Sequence, residues 1–294
     1  MGQPKKKKFR KNRKSRKLIF LVIFFGLVLS LTLFFFFRTK PAEKVVQPMP
    51  PRSLPAVKEA GEAKKEREKV SIPPPARLAL IIDDAGYNTD KIKEMVAMGR
   101  PMTFAILPNT PHARKVALLA HEKGEQVMLH LPMEPRDSDR VPLEQDTVLA
   151  GMDRQEIQTI LRKDLAQIPH VRGVNNHMGS KATEDVVVMQ ALMEVLKNKG
   201  LFYIDSHTSS HTVGPQMARQ AGVAFGSNYR FIDPENDLPA IKKAIRQVVE
   251  KAKKEGKAIA IGHPHPLTTQ AIREMIPEIE KAGVKLVFAS EVVG

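Results

Sequence analysis

Residues 78–88 read L-A-L-I-I-D-D-A-G-Y-N. The five apolar residues 78–82 predict a strand buried on both faces, closed by two adjacent carboxylates, Asp83 and Asp84. Gly86 and Asn88 then turn the chain, and a helix-period pattern starts at Lys91. A carboxylate pair at the end of a buried strand is costly unless cations or hydrogen-bond donors wait for it. Later strands of this chain end in histidines, and that pairing points to a metal site.

Outward from this stretch, residues 77–294 alternate between strand and helix patterns. Strand-like runs fall at 78–83, 102–107, 126–131, 173–175, 201–204, 223–225, 258–261 and 285–289, with helical patterns between them. Such alternation predicts parallel βαβ units, in a (β/α) barrel or a doubly wound sheet. Asn109-Thr110-Pro111 offers a cap and a first-turn proline, while Gly200, Gly222, Gly256 and Gly283 each release the next strand. The one long connection, 132–152, predicts a rim or lid.

The polar residues follow that pattern. Asp83 and Asp84 follow the first strand, and His130 ends the third. Asn176 and His177 follow the fourth, Asp205 and His207 the fifth, and His263 and His265 the seventh. In parallel α/β folds these C-terminal strand ends share one face, where ligands bind. Any one of these residues alone is more often a capped turn or a hydrogen-bonded structural group. Together, imidazoles and carboxylates at equivalent ends suit Zn²⁺ or a related divalent ion, with a position left open for water. Serine chemistry fits less well, because Ser180, Ser206 and Ser290 lie outside any G-x-S-x-G motif. Nor does the turn after Asp84 carry the lysine and glycine spacing of a phosphate loop.

Composition narrows the classes further. The net charge of +15 comes mostly from residues 1–40, which hold twelve Lys/Arg and no Asp/Glu. The remainder carries 47 − 12 = 35 basic against 32 acidic residues, an ordinary balance. Aromatic residues do not interleave with basic clusters, so a nucleic-acid partner is not predicted. The chain has no cysteine, which removes disulfides, thiolate metal sites and a thiol nucleophile.

The N-terminus speaks to location. A basic tail at 1–17 precedes twenty uncharged, mostly large apolar residues at 18–37. As a helix these reach about 30 Å, enough to cross a bilayer's hydrocarbon core. The run passes through Phe37 into Arg38 with no small-residue cleavage site, so it predicts an uncleaved transmembrane signal anchor. The basic flank predicts an N-terminus in the cytoplasm and the C-terminal bulk outside that membrane. Residues 38–76, rich in proline and charge, predict a disordered linker.

Six segments, I-I-D-D-A-G-Y, F-A-I-L-P-N-T, M-L-H-L-P-M-E-P, N-N-H-M-G-S, F-Y-I-D-S-H-T and I-G-H-P-H-P, occur in order between Ile81 and Pro266. Together they resemble the divergent polysaccharide deacetylase family, which is similar to metal-dependent polysaccharide deacetylases. The resemblance implies an irregular (β/α) barrel over 77–294, with Asp83 as general base and Asp84 as metal ligand. It also implies His130 as a further ligand and His263 as catalytic acid. One departure bears on the metal: Glu134 stands where a second histidine belongs. The third ligand is then Glu134 or His177, and His177 is preferred because imidazole suits zinc and Pro132 disturbs the local spacing. No clear R-x-P-aromatic segment appears near the base. Glu134, Asn176, Asp205, His207 and His265 are left as substrate-contacting or supporting residues.

Two function classes follow. The first is an inner-membrane-anchored hydrolase removing N-acetyl groups from an envelope amino-sugar polymer such as peptidoglycan. The second is a non-catalytic glycan-binding or envelope-assembly protein that keeps the barrel.

Overall fold

The computed structural model describes residues 74–294, which fall within one compact unit, Val70–Gly294. The basic tail, the apolar span 18–37 and nearly all of the 38–76 linker lie outside the described residues. Among the described residues no helix is long and apolar enough to cross a membrane.

The strands are β1 (Ala76–Ala85), β2 (Thr103–Ile106), β3 (Gln126–Met133), β4 (Val171–Met178), β5 (Phe202–Asp205), β6 (Phe225–Ser227), β7 (Arg230–Phe231), β8 (Lys257–Gly262) and β9 (Val284–Val287). The helices are α1 (Thr89–Val96), α2 (Ala113–Glu122), α3 (Arg154–Gln167), α4 (Val186–Lys199), α5 (Gly214–Ala221), α6 (Leu238–Glu255) and α7 (Pro266–Lys281). Their ends carry local reasons. Asn88 caps α1 by accepting from Asp90 N at 2.8 Å, Asp153 and Glu156 form a reciprocal capping box on α3, and Gly200 at φ 64° ends α4 in the left-handed region.

All strands pair in parallel in the order β6-β5-β4-β3-β2-β1-β8-β7, with β9 also on β1. β8 occupies one edge of β1 from Arg77 to Ile82. The other edge is shared, by β9 over Ala76 to Ala79 and by β2 from Ile81 onward. At the far end, the segment 225–231 pairs first with β5 and then with β8. Asn228 N donates to Asp205 O at 2.8 Å and Tyr229 N to Ile259 O at 3.0 Å, so consecutive amides reach opposite ends of the sheet order. The parallel sheet is therefore curled. The sequence reading placed one strand at 223–225 and missed β7, because Gly226, Ser227 and Asn228 read as loop.

Strand alternation sorts the core into two clusters. Leu78, Leu80 and Ile82 join the larger cluster beneath the helices, whereas Ala79 and Ile81 face the inside of the curl with Ala105, Met128, Ile204, Ile259 and Ile261. The interior is narrow. A Cβ on Gly173 of β4 would stand 2.3 Å from the Phe202 ring. One end of the interior is filled by the C-terminal turn Ala289–Glu291, where Ala289 and Val292 join the inner cluster and Ala289 N donates to Thr103 Oγ1 at 3.0 Å. The opposite end, where the strands finish, is polar. His121 and His170 stack on each other with ring centroids 3.6 Å apart.

Candidate metal centre

The same alternation carries the inner row of each strand into the polar mouth. After Ala79 and Ile81 the next inner position on β1 is Asp83; after Met128 on β3 it is His130; after Gly173 on β4 come Asn175 and His177; after Ile259 and Ile261 comes His263. Asp84 breaks the alternation. The register of β1 on β2 shifts between Ile82 and Ala85, and Asp84 takes φ 53°, a left-handed conformation that Asp tolerates. That turn brings its carboxylate to the same mouth as Asp83.

Three donor atoms converge. His177 Nδ1 lies 3.1 Å from Asp84 Oδ1, His130 Nε2 lies 3.3 Å from the same oxygen, and the two nitrogens stand 3.2 Å apart. Around one ion at zinc-ligand lengths, three donors stand about 3.0–3.5 Å from one another. The polarity of the triangle matters as much as its size. Asn175 Oδ1 accepts from His130 Nδ1 at 2.9 Å, which puts the ring proton on Nδ1 and leaves the Nε2 lone pair facing Asp84. Asp84 Oδ1 is buried and no aligned hydrogen bond reaches it. With His177 in the tautomer that leaves Nδ1 unprotonated, three electron-rich atoms converge, an arrangement that a cation stabilises. The donor set of one carboxylate and two imidazoles fits a divalent ion such as Zn²⁺. It is the group of three or more His, Cys, Asp or Glu with ligand atoms in mutual reach among the described residues.

Two further acid–base groups flank the triangle. Asp83 is 1% exposed, its Oδ1 accepts from Asn175 Nδ2 at 2.8 Å, and its Oδ2 stands 3.5 Å from His130 Nε2. Burial pushes its pKa up, against the opposing pull of His130 and Asn175. Burial acts on Asp84 in the same sense, but the proximity of His130 and His177 outweighs it and holds that carboxyl well below the ordinary range. His263 turns Nε2 toward Asp84 Oδ2, 3.9 Å away, and its Nδ1 donates to Asp233 Oδ1 at 3.0 Å. Burial pulls the His263 pKa down, yet the Asp233 hydrogen bond and charge, helped by Asp84 and Asp83, push it up to about 9. Asp233 is itself fixed by His263 N and Thr268 Oγ1, each donating at 2.7 Å.

The remaining sequence candidates fall elsewhere. Glu134 does not join the triangle: it accepts from Lys181 Nζ at 2.8 Å, Ala150 N at 2.9 Å and Ser138 Oγ at 3.1 Å, so it ties down the long connection. Asn176 points to the outer side of β4, where Oδ1 accepts from Ser206 N at 2.9 Å and Tyr203 OH at 3.2 Å. Asp205, also on an outer position, closes a turn by accepting from His207 N and Thr212 Oγ1, both at 2.7 Å. His207 is exposed with φ 59°. His265, exposed, precedes α7 with its ring 5.7 Å from that of His263, at the edge of the mouth.

Two residues of the site escaped the sequence reading. Asn175 was passed over for its neighbour Asn176; counting inner positions back from His177 would have chosen it. Asp233 follows the missed strand β7 by two residues, just before Pro234, so a strand-end signal was present in R-F-I-D-P.

Known proteins agree with this fold. Residues 80–293 match the divergent polysaccharide deacetylase family. The protein YibQ of Escherichia coli K12 is 36% identical over 200 residues, covering 68% of this chain and 62% of YibQ. A Haemophilus influenzae protein is 32% identical over 222 residues, covering 74% of this chain and 79% of its own length. The crystal structure of ATU2773 from Agrobacterium tumefaciens C58, 20% identical, superposes with a TM-score of 0.71 over 76% of this chain and 91% of its own, and so shares the fold. The match over 80–293, together with the inner-row Asp and His residues of its strand ends, makes this chain a member of the divergent polysaccharide deacetylase family.

Proposed function

We propose that the domain is a metal-dependent hydrolase that removes N-acetyl groups from an amino-sugar polymer of the cell envelope, peptidoglycan being the nearest candidate. The observation that carries the reading is the Asp84–His130–His177 triangle with a buried carboxylate on one flank and an Asp-oriented histidine on another. Family membership supports a polysaccharide as the substrate class. The 18–37 span would tether the domain to the inner membrane, N-terminus in the cytoplasm and domain outside it.

Asp84 Oδ1, His130 Nε2 and His177 Nδ1 would hold the ion, with zinc the best fit to this donor set. When bound, it supplies Lewis acidity that makes a water more acidic and polarises an amide carbonyl. Asp83, with its pKa raised by burial, takes the proton of the attacking water as the water oxygen bonds the acetyl carbon. His263 Nε2 gives a proton to the amine as the C–N bond breaks, leaving acetate and a free amino sugar. Asp233 keeps the other ring nitrogen protonated and balances the imidazolium charge. Asn175 serves both sides, aiming Asp83 with its amide hydrogens and His130 with its carbonyl.

The test is acetate release from N-acetylated glycan by the zinc-loaded chain beside Asp83→Asn and His263→Ala. Release by wild type and a loss of at least about a hundredfold in each variant supports the reading. Glycan binding without acetate release from any acetylated amino sugar would transfer the protein to the binding class.

A further inference from the structure

The hydrolase reading leaves open how the polymer is seated, and one rim residue is placed for that task. The chain has three tyrosines and no tryptophan. Tyr203 is buried, while Tyr87 and Tyr229 are 51% and 45% exposed. The Tyr229 ring is already covered by the Lys251 ammonium at 4.9 Å. Tyr87 has no such cover among the described residues, and it follows Asp84 by three positions.

Tyr87 is held in place from two directions. The turn that carries it is fixed: Leu107 N donates to Ala85 O and His112 N to Gly86 O, both at 2.9 Å. Gly86, at φ 130°, is packed so closely that a Cβ there would stand 2.2 Å from Thr110 Oγ1. At the other end, the Tyr87 hydroxyl donates to Glu144 Oε1 at 3.1 Å, across to the long connection after β3. Pro142 and Leu143, the residues just before Glu144, are exposed. Burial first, then the Glu144 contact and last the charge of Asp84 push the Tyr87 pKa up.

We propose that the exposed face of Tyr87 is a sugar subsite that seats a pyranose ring of the polymer next to the residue being deacetylated. An aromatic face offers a broad apolar, electron-rich surface that suits the C–H face of a pyranose. A tyrosine fixed at backbone and hydroxyl gives up little conformational freedom when a ring settles on it. The hydroxyl bond also ties this subsite to the 134–152 connection. The subsite rests on the polymer-substrate reading, but seating and hydrolysis are separable.

Isothermal titration of the full chain in detergent with a tetramer of N-acetylglucosamine separates them. Tyr87→Ala is expected to weaken tetramer binding about tenfold, a stacking contribution of ordinary size. Tyr87→Phe keeps the ring face and is expected to bind within about twofold of wild type, as is Tyr229→Ala. Equal affinity of wild type and Tyr87→Ala, or no tetramer binding by the wild type, overturns the subsite. Tetramer binding that depends on Tyr87, with no acetate released from the same tetramer, keeps the subsite and removes the hydrolase reading.

Discussion

Replacing Asn175 by leucine removes three buried hydrogen bonds at similar side-chain size, to His130, Asp83 and Ser206, none of them made to the ion itself. The His130 ring would lose the acceptor that holds its Nδ1 proton at 2.9 Å, and Asp83 would lose the donor at 2.8 Å. Partners of this kind orient a ligating imidazole and fix its tautomer, and their loss costs roughly 10- to 100-fold in metal affinity, about 1.4–2.8 kcal/mol. Leaving a buried carboxylate oxygen without its donor costs a further ~1–3 kcal/mol of stability. Zinc affinity measured by competition with a chromophoric chelator, with thermal unfolding of the same sample as a folding control, reads both. Asn175→Asp separates the two roles: its carboxylate still accepts from His130, but it offers no donor to Asp83. That variant is expected to hold zinc within a few-fold of wild type while losing acetate release. A folded Asn175→Leu variant that binds zinc within about twofold of wild type would refute the orienting role.

Asp233→Asn is expected to leave zinc binding unchanged and lower kcat by about 10²-fold or more, because His263 loses the charge that keeps it an effective proton donor; steady-state kinetics beside metal titration checks this. Gly173→Ala is expected to destabilise the domain by ~1–3 kcal/mol in urea unfolding, since the added methyl meets the Phe202 ring. Asp164 on α3 is buried with Oδ2 unpartnered, and burial pushes its pKa up to about 7. A folded pKa raised above the unfolded value means the folded state holds the extra proton between about pH 4 and 7, so stability falls as pH rises through that window. Asp164→Asn is therefore expected to gain stability relative to wild type at pH 8 compared with pH 4, in urea midpoints; a difference independent of pH would contradict it.

Much of this architecture was legible because its signals are long or repeated. The 78–82 run and the glycines that end helices mark parallel βαβ units, and the polar residues after successive strands mark the mouth. What escaped was short or required counting. β7 has two residues, Arg230 and Phe231, in a segment whose neighbours read as loop, so Asp233 went unseen with it. Asn175 and Asn176 are adjacent, and only strand parity separates the one that faces the site from the one that bonds Tyr203 and Ser206. Glu134 could stand for a ligand on chemistry alone; Lys181, Ser138 and Ala150, two of them distant in sequence, decide its role. The expected transmembrane anchor remains a proposal, since residues 18–37 lie outside the described residues.

Metal content bears most directly on the claim that this mouth is a metal-dependent hydrolytic centre. Elemental mass spectrometry of the purified, zinc-reconstituted chain, beside His177→Ala and Glu134→Ala, is expected to find close to one zinc per wild-type chain. The ion should be lost in His177→Ala and kept in Glu134→Ala, because only His177 joins Asp84 and His130. A wild type that stays metal-free after reconstitution would contradict the hydrolytic mechanism. Zinc kept in His177→Ala and lost in Glu134→Ala would contradict the ligand set.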